Sequence, residues 1–350
     1  MSYSLATDGG AGQPASGHAA ASLTAWLLLG LVLLTAVAAA SLMLGARPIA
    51  LPVALDALFA YNASSSDHVV VWHYRLPRTA LAILCGAAFG VSGALIQAAT
   101  RNPLADPGIL GVNAGAAFFV TAAVGLFGFR SIDTYVWPAL LGAVVVTLVV
   151  YALGAGGRDG ATPVRLVLSG VALSAVLGGI GSSITLLDPQ AFDVLRLWSV
   201  GSVAGRDMHV VVTVAPFIGL GLLIALAVAR QLNALALGED LARSLGADVR
   251  RGRILVLVAV TLLAGAGTAA VGPIGFIGLI VPHVVRWFTG PDQRRIVPLT
   301  MVVAALLLLC ADIAGRLVLY PGELEAGIVT AFLGAPVLIL LARRRQASGL

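Results

Sequence analysis

Side chains that could carry chemistry are scarce, because only 11% of the 350 residues are charged. All 21 permanently basic residues are Arg, since the sequence contains no Lys. A phosphate-binding P-loop needs a Gly-Lys-Ser/Thr run, and a Schiff base needs a Lys amine. Both chemistries are therefore excluded for this chain. If the protein works with ATP, we expect another chain to hydrolyse it.

Three arginines stand at the ends of apolar segments. Arg75 and Arg78 lie in the run Arg-Leu-Pro-Arg ahead of one segment, and Arg316 follows another. A guanidinium can bind a carboxylate through two parallel hydrogen bonds, so these residues could dock an acidic partner. An Arg beside an apolar segment can equally extend to lipid headgroups. The residues alone leave both interpretations open.

The stretch 230–253 interrupts the apolar pattern with charges of both signs around an amphipathic core. Gly238 and Gly246 bracket a segment that can form one short helix between two turns, with Leu241 and Leu245 on one face. Such a helix could insert into a groove on a partner. An ordinary solvated connector would show the same pattern, so both interpretations stay open.

Small residues recur at every fourth position of the segment 166–187, namely Gly170, Ser174, Gly178 and Ser182. On an α-helix they share one face, which permits close contact with a neighbouring helix. The same face could line a polar path where two copies of the chain meet. Packing is the more frequent role of such a face, and the two roles are compatible.

The elements that must position these residues are membrane helices. The chain is 59% hydrophobic with a mean hydropathy of +1.00, whereas soluble domains average about 25% charged residues. A helix needs about 17 to 25 residues to cross the hydrocarbon core. Apolar segments near or above that length lie at 21–46, 79–100, 107–129, 134–157, 166–187, 210–229, 254–282, 296–311 and 326–342.

The section 254–290 is too long for one crossing, since about 37 residues would measure about 55 Å as a single helix. It also contains a dense set of Gly and Pro residues: Gly272, Pro273, Gly275, Gly278 and Pro282. Gly and Pro interrupt helices. We therefore predict two helices here, and an all-α polytopic membrane protein with about ten transmembrane helices.

The distribution of arginines supports this count. With the split, both termini share a side that holds about 14 of the 21 arginines, whereas without it the balance is about 9 against 12. The positive-inside rule assigns that side to the cytoplasm. The arginines on the outer side are then Arg47, Arg75, Arg78, Arg130, Arg196, Arg206 and Arg316.

The domain organisation is simple. Residues 1–20 are polar and rich in Gly, Ala and Ser, so we expect a disordered N-terminal tail. No Arg precedes the first apolar segment, which is unlike a cleaved signal. Residues 21–345 are expected to form a single transmembrane domain.

Ionisable residues inside the predicted spans are few. Only Asp312, His283 and Arg286 come close, each near a helix end or break. Ion-coupled transporters need such residues at mid-membrane, so an ion-coupled secondary transporter is the less favoured alternative. Cys85 and Cys310 lie in apolar segments without metal-ligand spacing, and no metal site is expected.

Four stretches carry a resemblance to a known family. They are RLPRTALAILCGAAFGVSGALIQAATRNPLADPGILGVNAGA (75–116), LALGEDLARSLGADVRR (235–251), GPIGFIGLIVPHVVRW (272–287), and ADIAGR with ELEAGIVTAFLGAPVLILLARR (311–316, 323–344). In this order, from about residue 25 to 345, the chain resembles the permease subunits of type II ABC importers for iron–siderophores, haem and cobalamin.

The resemblance implies a ten-helix permease that acts as a pair, either of identical chains or with a similar permease. It implies two cytoplasmic ATP-binding-cassette ATPase subunits, which use ATP and Mg, and a periplasmic or lipid-anchored substrate-binding protein. No cofactor is then bound by this chain, and no nucleic acid is a partner. The implied location is the bacterial cytoplasmic (inner) membrane, multi-pass, with both termini cytoplasmic.

The resemblance also implies roles for residues. In similar permeases, outer-side arginines receive Glu residues of the binding protein, and Arg75, Arg78 and Arg316 occupy the matching positions. The coupling segment 230–253 would hold the helix that seats in the ATPase groove, formed by Gly238, Glu239, Asp240, Leu241, Ala242, Leu245 and Gly246. The translocation path and gate would be lined by Thr162, Pro163, Val164, Ser169, Ser174 and Ser182.

Two stretches of the sequence rank the possible cargoes. The stretch DPQAFDVLRLWSVGSVAGRD (188–207) and the C-terminal EAGIVTAFLGAPVLILLARR resemble siderophore permeases more than cobalamin permeases. We therefore expect ferric siderophore first, haem second and cobalamin third. The expected mechanism is alternating access driven by the separate ATPase subunits.

Overall fold

The computed structural model describes residues 16–156, 162–236, 238–244, 246 and 248–343. Within these ranges the chain is helical and contains no strand, which confirms the all-α prediction. The helices are α1 (Ser16–Met43), α2 (Leu51–Phe59), α3 (Ser66–Val70), α4 (Leu76–Thr100), α5 (Val112–Phe127), α6 (Ile132–Ala155), α7 (Pro163–Leu187), α8 (Pro189–Val200), α9 (Met208–Ala236), α10 (Glu239–Ser244), α11 (Val249–Val271), α12 (Ile277–Thr289), α13 (Gln293–Val318) and α14 (Ala326–Arg343). A π-helical turn, Val71–Arg75, joins α3 to α4, and a 3₁₀ turn, Pro107–Leu110, precedes α5.

The membrane spans agree with the prediction. Among the described residues, seven helical segments are long and apolar enough to cross a bilayer: Leu23–Met43, Ser66–Thr100, Ile132–Ala155, Val164–Leu187, Met208–Ala236, Val249–Val271 and Gln293–Val318. Three shorter apolar helices are Val112–Phe127, Ile277–Thr289 and Ala326–Leu340. Together they make the predicted ten, and the chain is a multi-pass membrane protein.

The predicted break in section 254–290 is confirmed. Helix α11 ends at Val271 and is followed by Gly272, whose φ of +77° belongs to the region that favours glycine. Helix α12 starts after Phe276, which adopts a positive φ of +69°. The section therefore forms two separate helices rather than one continuous helix.

Polar side chains start several helices by accepting a hydrogen bond from an unpaired amide of the first turn. Thr162 does this for α7, Asp188 for α8, Asp248 for α11 and Asp292 for α13. Because these caps stand at the edges of apolar runs, they fix where each run begins to be helical.

Helix α4 forms the centre of the bundle. It is buried over most of its length and packs against α9, α11, α12 and α13. Gly86 and Gly90 allow α13 to approach closely, at Ala304. Gln97, fully buried, donates from Nε2 to the carbonyl oxygen of Gly278 at 2.9 Å and so ties α4 to α12.

The bundle has two ends. We call the end where α4 and α9 begin and α11 and α13 finish the arginine face, because Arg75, Arg78 and Arg316 lie there. We call the opposite end, where α9 finishes and α11 and α13 begin, the α10 face.

One boundary differs from the sequence prediction. Helix α1 begins at Ser16, so residues 16–20 are helical and the predicted disordered tail was wrong for them. The rest of that predicted tail, residues 1–15, lies outside the described residues. The apolar run that follows extends helical geometry toward the N-terminus, as a helix gains a hydrogen bond with each added residue.

Candidate functional site

The structure brings the three predicted docking arginines to one end of the bundle. Arg75 ends the π-helical turn, Arg78 lies in the first turn of α4, and Arg316 lies in the last turns of α13. Arg75 is 6% exposed and Arg316 is 3% exposed. Neither guanidinium extends toward lipid, which is what the headgroup interpretation required.

Arg75 is bonded to its own chain. Its Nη1 donates to the carbonyl oxygens of Leu42 at 2.7 Å and Met43 at 2.8 Å, and its Nη2 donates to the carbonyl oxygen of Arg47. The last carbonyls of a helix have no amide partner within it. Arg75 therefore serves as the C-terminal cap of α1.

Arg78 and Arg316 share Asp312, which is 1% exposed. Arg78 donates from Nε to both carboxylate oxygens, at 2.9 and 3.1 Å, and its Nη2 lies 2.8 Å from Oδ1. Arg316 donates from Nη2 to Asp312 Oδ2 and from Nη1 to the carbonyl oxygen of Ser41 at 2.8 Å. This network ties α1, α4 and α13 together, and a buried charge pair of this kind costs free energy if one partner is removed.

A cavity of about 340 Å³ opens beside this network. Its described lining includes five arginines and one acidic residue: Arg47, Arg75, Arg78, Arg206, Arg316 and Glu323. We call it the arginine pocket. A cleft lined mainly by one sign of charge attracts the opposite sign, so the pocket favours an anionic group.

Two residues of the arginine pocket were not assigned from the sequence. Arg206 donates from Nε to the carbonyl oxygen of Ala270 at 3.0 Å, and burial lowers the pKa of its guanidinium, which stays protonated. Glu323 accepts from Arg78 Nη1 at 2.7 Å. The sequence showed Arg206 as an outer-side arginine and Glu323 as an acid within ELEAG. It could not show that Glu323 contacts Arg78, 245 positions away.

The predicted short helix on the α10 face is confirmed as α10. Gly238 and Gly246, on either side of it, have φ of +106° and +77°, so each makes a turn that other residues resist. Ala242 is fully buried, whereas Leu241 is half exposed and so available for contact. The position of Leu245 and the side chains of Glu239 and Asp240 lie outside the described residues.

Hydrogen bonds join the end of α9, just before α10, to the start of α13. Asn233, near the end of α9, donates from Nδ2 to Asp292 Oδ1 at 2.7 Å, and its Oδ1 accepts from the amide of Gln293 at 2.8 Å. Because α10 is the next helix after α9, these hydrogen bonds also hold the beginning of α10 near the start of α13. No sequence pattern marked these residues.

The predicted path residues fall on a helix that is mostly exposed. Thr162 caps α7, Ser169 and Ser174 are half-buried, and Ser182 is exposed. Val164 is 68% exposed, and the side chain of Pro163 lies outside the described residues. The structure therefore presents these positions along α7 without enclosing them within one chain.

The small-residue stripe of α7 divides into two parts. Gly170 meets the backbone carbonyl of Ile109 so closely that no Cβ would fit, which is a packing role. At Gly178 nothing lies within 4 Å of an added Cβ. The stripe is therefore packed at Gly170 and uncovered at Gly178 within one chain.

One cluster outside these regions has metal-ligand residue types. Asp133, Asp207 and His209 bring one ligand atom each to within 4.8 Å of one another at the arginine face. His209 already pairs with Asp133 at 3.2 Å, and Asp207 accepts from the amide of Val210. These contacts account for the cluster as surface pairing.

Comparison with known proteins adds to this geometry. Residues 32–344 match the model of the FecCD transport family. The ferric enterobactin transport system permease protein FepD of Escherichia coli (strain K12) is 47% identical over 321 residues, covering 91% of this chain and 96% of FepD. The hemin transport system permease protein HmuU of Yersinia pestis is 34% identical over 336 residues, covering 92% and 98%.

A solved structure has the same fold. An inward-facing metal-chelate type ABC transporter superposes with a TM-score of 0.80 and 28% identity, over 90% of this chain and 98% of that chain. The fold is therefore shared with a chain of an ABC transporter.

Proposed function

This chain belongs to the FecCD transport family, and from that membership we propose that it is the permease subunit of an ATP-binding-cassette importer that carries ferric siderophores into the cytoplasm. The observation that carries the proposal is 47% identity to a ferric enterobactin permease over 91% of the chain. The alternative cargo is haem, which the 34% identity to a hemin permease supports less strongly. Cobalamin ranks third.

The energy source is proposed to lie in partner chains. The sequence has no Lys for a P-loop, so ATP and Mg are used by two separate ATPase subunits. Helix α10, whose Leu241 is half exposed, supplies a short helical element for the ATPase groove. On this proposal the α10 face and both termini are cytoplasmic, which the excess of arginines on that side supports.

The arginine pocket is proposed as the docking site of a substrate-binding protein. A carboxylate on that partner would meet five arginine side chains against one glutamate. Arg75 and Arg316 are bonded to groups of their own chain, so they stabilise the walls of the pocket and contribute positive electrostatic potential. Arg78 and Arg206 are the arginines we propose to meet the partner, since Nη1 of Arg78 pairs with the exposed Glu323 and Arg206 is bonded to the chain through Nε.

Helix α11 gives a physical route between the two faces. It begins after α10, and its last carbonyls accept hydrogen bonds from the loop that follows α8. The amide of Ser202 donates to Val271 O at 2.8 Å, and Arg206 donates to Ala270 O. A push on α10 would therefore reach the pocket loop as a rigid-body shift, the kind of motion that alternating access requires.

The path is proposed to form between two permeases. Helix α7 exposes Val164, Gly178 and Ser182, and α14 exposes Phe332, so one face of each helix is uncovered within one chain. A second identical or similar permease facing α7 would enclose the small polar stripe. The absence of bulky side chains at Gly178 suits a wide and weakly selective path.

The test is uptake by reconstituted complexes. We would co-express the chain with its genomic neighbours, place the complex in liposomes and compare radio-iron siderophores with haem and cobalamin. A variant with Glu239→Arg and Asp240→Arg should lose uptake, while Asp193→Arg, an exposed charge reversal on α8, should keep it. Uptake of haem or cobalamin in preference to siderophore would overturn the cargo, and full uptake by the α10 variant would overturn the coupling role.

A further inference from the structure

We propose that Glu323 is a resident carboxylate of the arginine pocket, which leaves Arg78 when a carboxylate of the docking partner takes its place, with Arg206 as the second arginine that receives the partner. This inference rests on the proposed function, since it deepens the role of the same pocket. It assigns roles to two residues that line the cavity.

Arg78 is held by two carboxylates of very different burial. The Asp312 side chain is 2% exposed and accepts hydrogen bonds from Nε and Nη2 of Arg78. Arg316 forms a second ion pair with the same carboxylate. Glu323 takes Nη1 at 2.7 Å, and its side chain is 40% exposed. An ion pair open to water contributes little to stability because water competes for both charges. The contact with Glu323 is therefore the exchangeable one.

The backbone around Glu323 is fixed, so exchange requires only a side-chain rotation. The amide of Leu324 donates to the carbonyl oxygen of Gly315 at 3.0 Å, and Gly315 packs against the backbone of Leu324. The neighbouring loop thus stays on α13 while the Glu323 side chain turns outward to solvent. Side-chain rotations of exposed residues are fast compared with protein docking.

The charge of the pocket favours the exchange of one acid for another. Arg47 is paired with Asp67 at 3.2 Å, and Arg75 is bonded to carbonyl oxygens. When Glu323 leaves, Arg78 keeps only the shared Asp312, and a partner carboxylate restores the balance. The pocket is thereby protected from stray anions until a partner brings a carboxylate at high local concentration.

Arg206 completes the receiving surface. Its Nε is used by Ala270 O, and no ion pair between Arg206 and an acidic side chain occurs in the part of the chain that the structure describes. The hydrogen bond from Nε fixes the orientation of the guanidinium, so its two Nη groups can bind both oxygens of one carboxylate. Because Ala270 lies in the last turn of α11, a partner held by Arg206 is connected to the helix that follows α10.

The experiment measures the dissociation constant between the binding protein encoded beside this chain and the permease complex in nanodiscs. Glu323→Gln keeps the shape but removes the competing charge, so docking should tighten about 2- to 5-fold, as expected for loss of an exposed ion pair. Glu325→Gln, the same change two residues away and outside the cavity, should leave docking within about 2-fold. Arg206→Gln should weaken docking in both the wild-type and the Glu323→Gln backgrounds.

The outcomes separate the two proposals. If the wild type binds and Glu323→Gln binds equally or more weakly, the exchange is refuted while the docking site stands. If Arg206→Gln leaves docking unchanged, its receiving role is refuted. If the wild type binds no binding protein at all, the proposed function fails and this inference falls with it. Equal thermal unfolding of Glu323→Gln and Glu325→Gln shows that the comparison concerns docking and not folding.

Discussion

The close contact between α4 and α13 at Gly86 gives the sharpest stability prediction. A Cβ built on Gly86 would lie 2.7 Å from the carbonyl oxygen of Ala304 and 2.8 Å from Cα of Ala305, both backbone atoms that cannot rotate away. An ordinary contact begins at 3.4 Å. Gly86→Ala therefore forces the two helix backbones apart by about 0.7 Å at the centre of the bundle, an overpacking strain.

The expected cost follows from this strain. Overpacking of a well-packed core costs about 1–3 kcal/mol, while Ala is favoured over Gly in a helix interior by up to about 1 kcal/mol. Gly219→Ala in α9 is the matched control, since nothing lies within 4 Å of its added Cβ. The difference between the two variants isolates packing because both make the same change within a helix.

The assay is unfolding of the purified chain in detergent, by heat and by denaturant, with helix content as the readout. Gly86→Ala should be less stable than Gly219→Ala by about 1–3 kcal/mol. Equal stability of the two variants would show that α4 and α13 do not pack as closely as described. It would also contradict the contact between Arg78 of α4 and Asp312 of α13.

Three further predictions concern other parts of the chain. Arg75→Met should lower the free energy of unfolding by about 3 kcal/mol, because buried carbonyls at the end of α1 lose a charged donor; a loss below about 1 kcal/mol in the same unfolding assay would contradict the capping role. Burial raises the pKa of Asp106, so its ionised form is disfavoured in the fold and its contribution to stability falls as pH rises above the ordinary Asp value. Asp106→Asn, which keeps an acceptor for the amide of Gly108, should therefore be more stable than the wild type at pH 7, and the difference should disappear below the unperturbed Asp pKa of about 3.9. A pH-independent difference would refute this reasoning. Gly246→Ala places a side chain at a φ of +77° at a strain of about 1–2 kcal/mol, so cargo-stimulated ATPase activity of the complex should fall, whereas Gly219→Ala should leave it unchanged.

Local features were predicted well from the sequence. The cluster of Gly and Pro at 272–282 gave the break between α11 and α12, because Gly272 and its neighbours act on their own segment. The turns at Gly238 and Gly246 were recognised for the same reason. Long uncharged runs likewise gave the ten spans, since the requirement of about 17–25 residues acts on each run separately.

Features that depend on distant partners were not predicted. The sequence left docking and lipid contact open for Arg75 and Arg316, but it could not show that Arg75 caps α1, 32 positions earlier, or that Arg316 bonds Ser41 across 275 positions. The stripe on α7 could not reveal that Gly170 faces Ile109 while Gly178 faces open space. Periodicity shows which residues share a face, but only the assembled fold shows what that face meets.

The most direct test of the account is the energy source of transport. Liposomes holding the permease with its ATPase subunits and binding protein should take up ferric siderophore only with ATP on the ATPase side, and vanadate should stop uptake while a protonophore should not. The same liposomes without the ATPase subunits should show none. Uptake that runs without the ATPase, or that a protonophore abolishes while vanadate does not, would contradict the assignment as an ATP-driven permease.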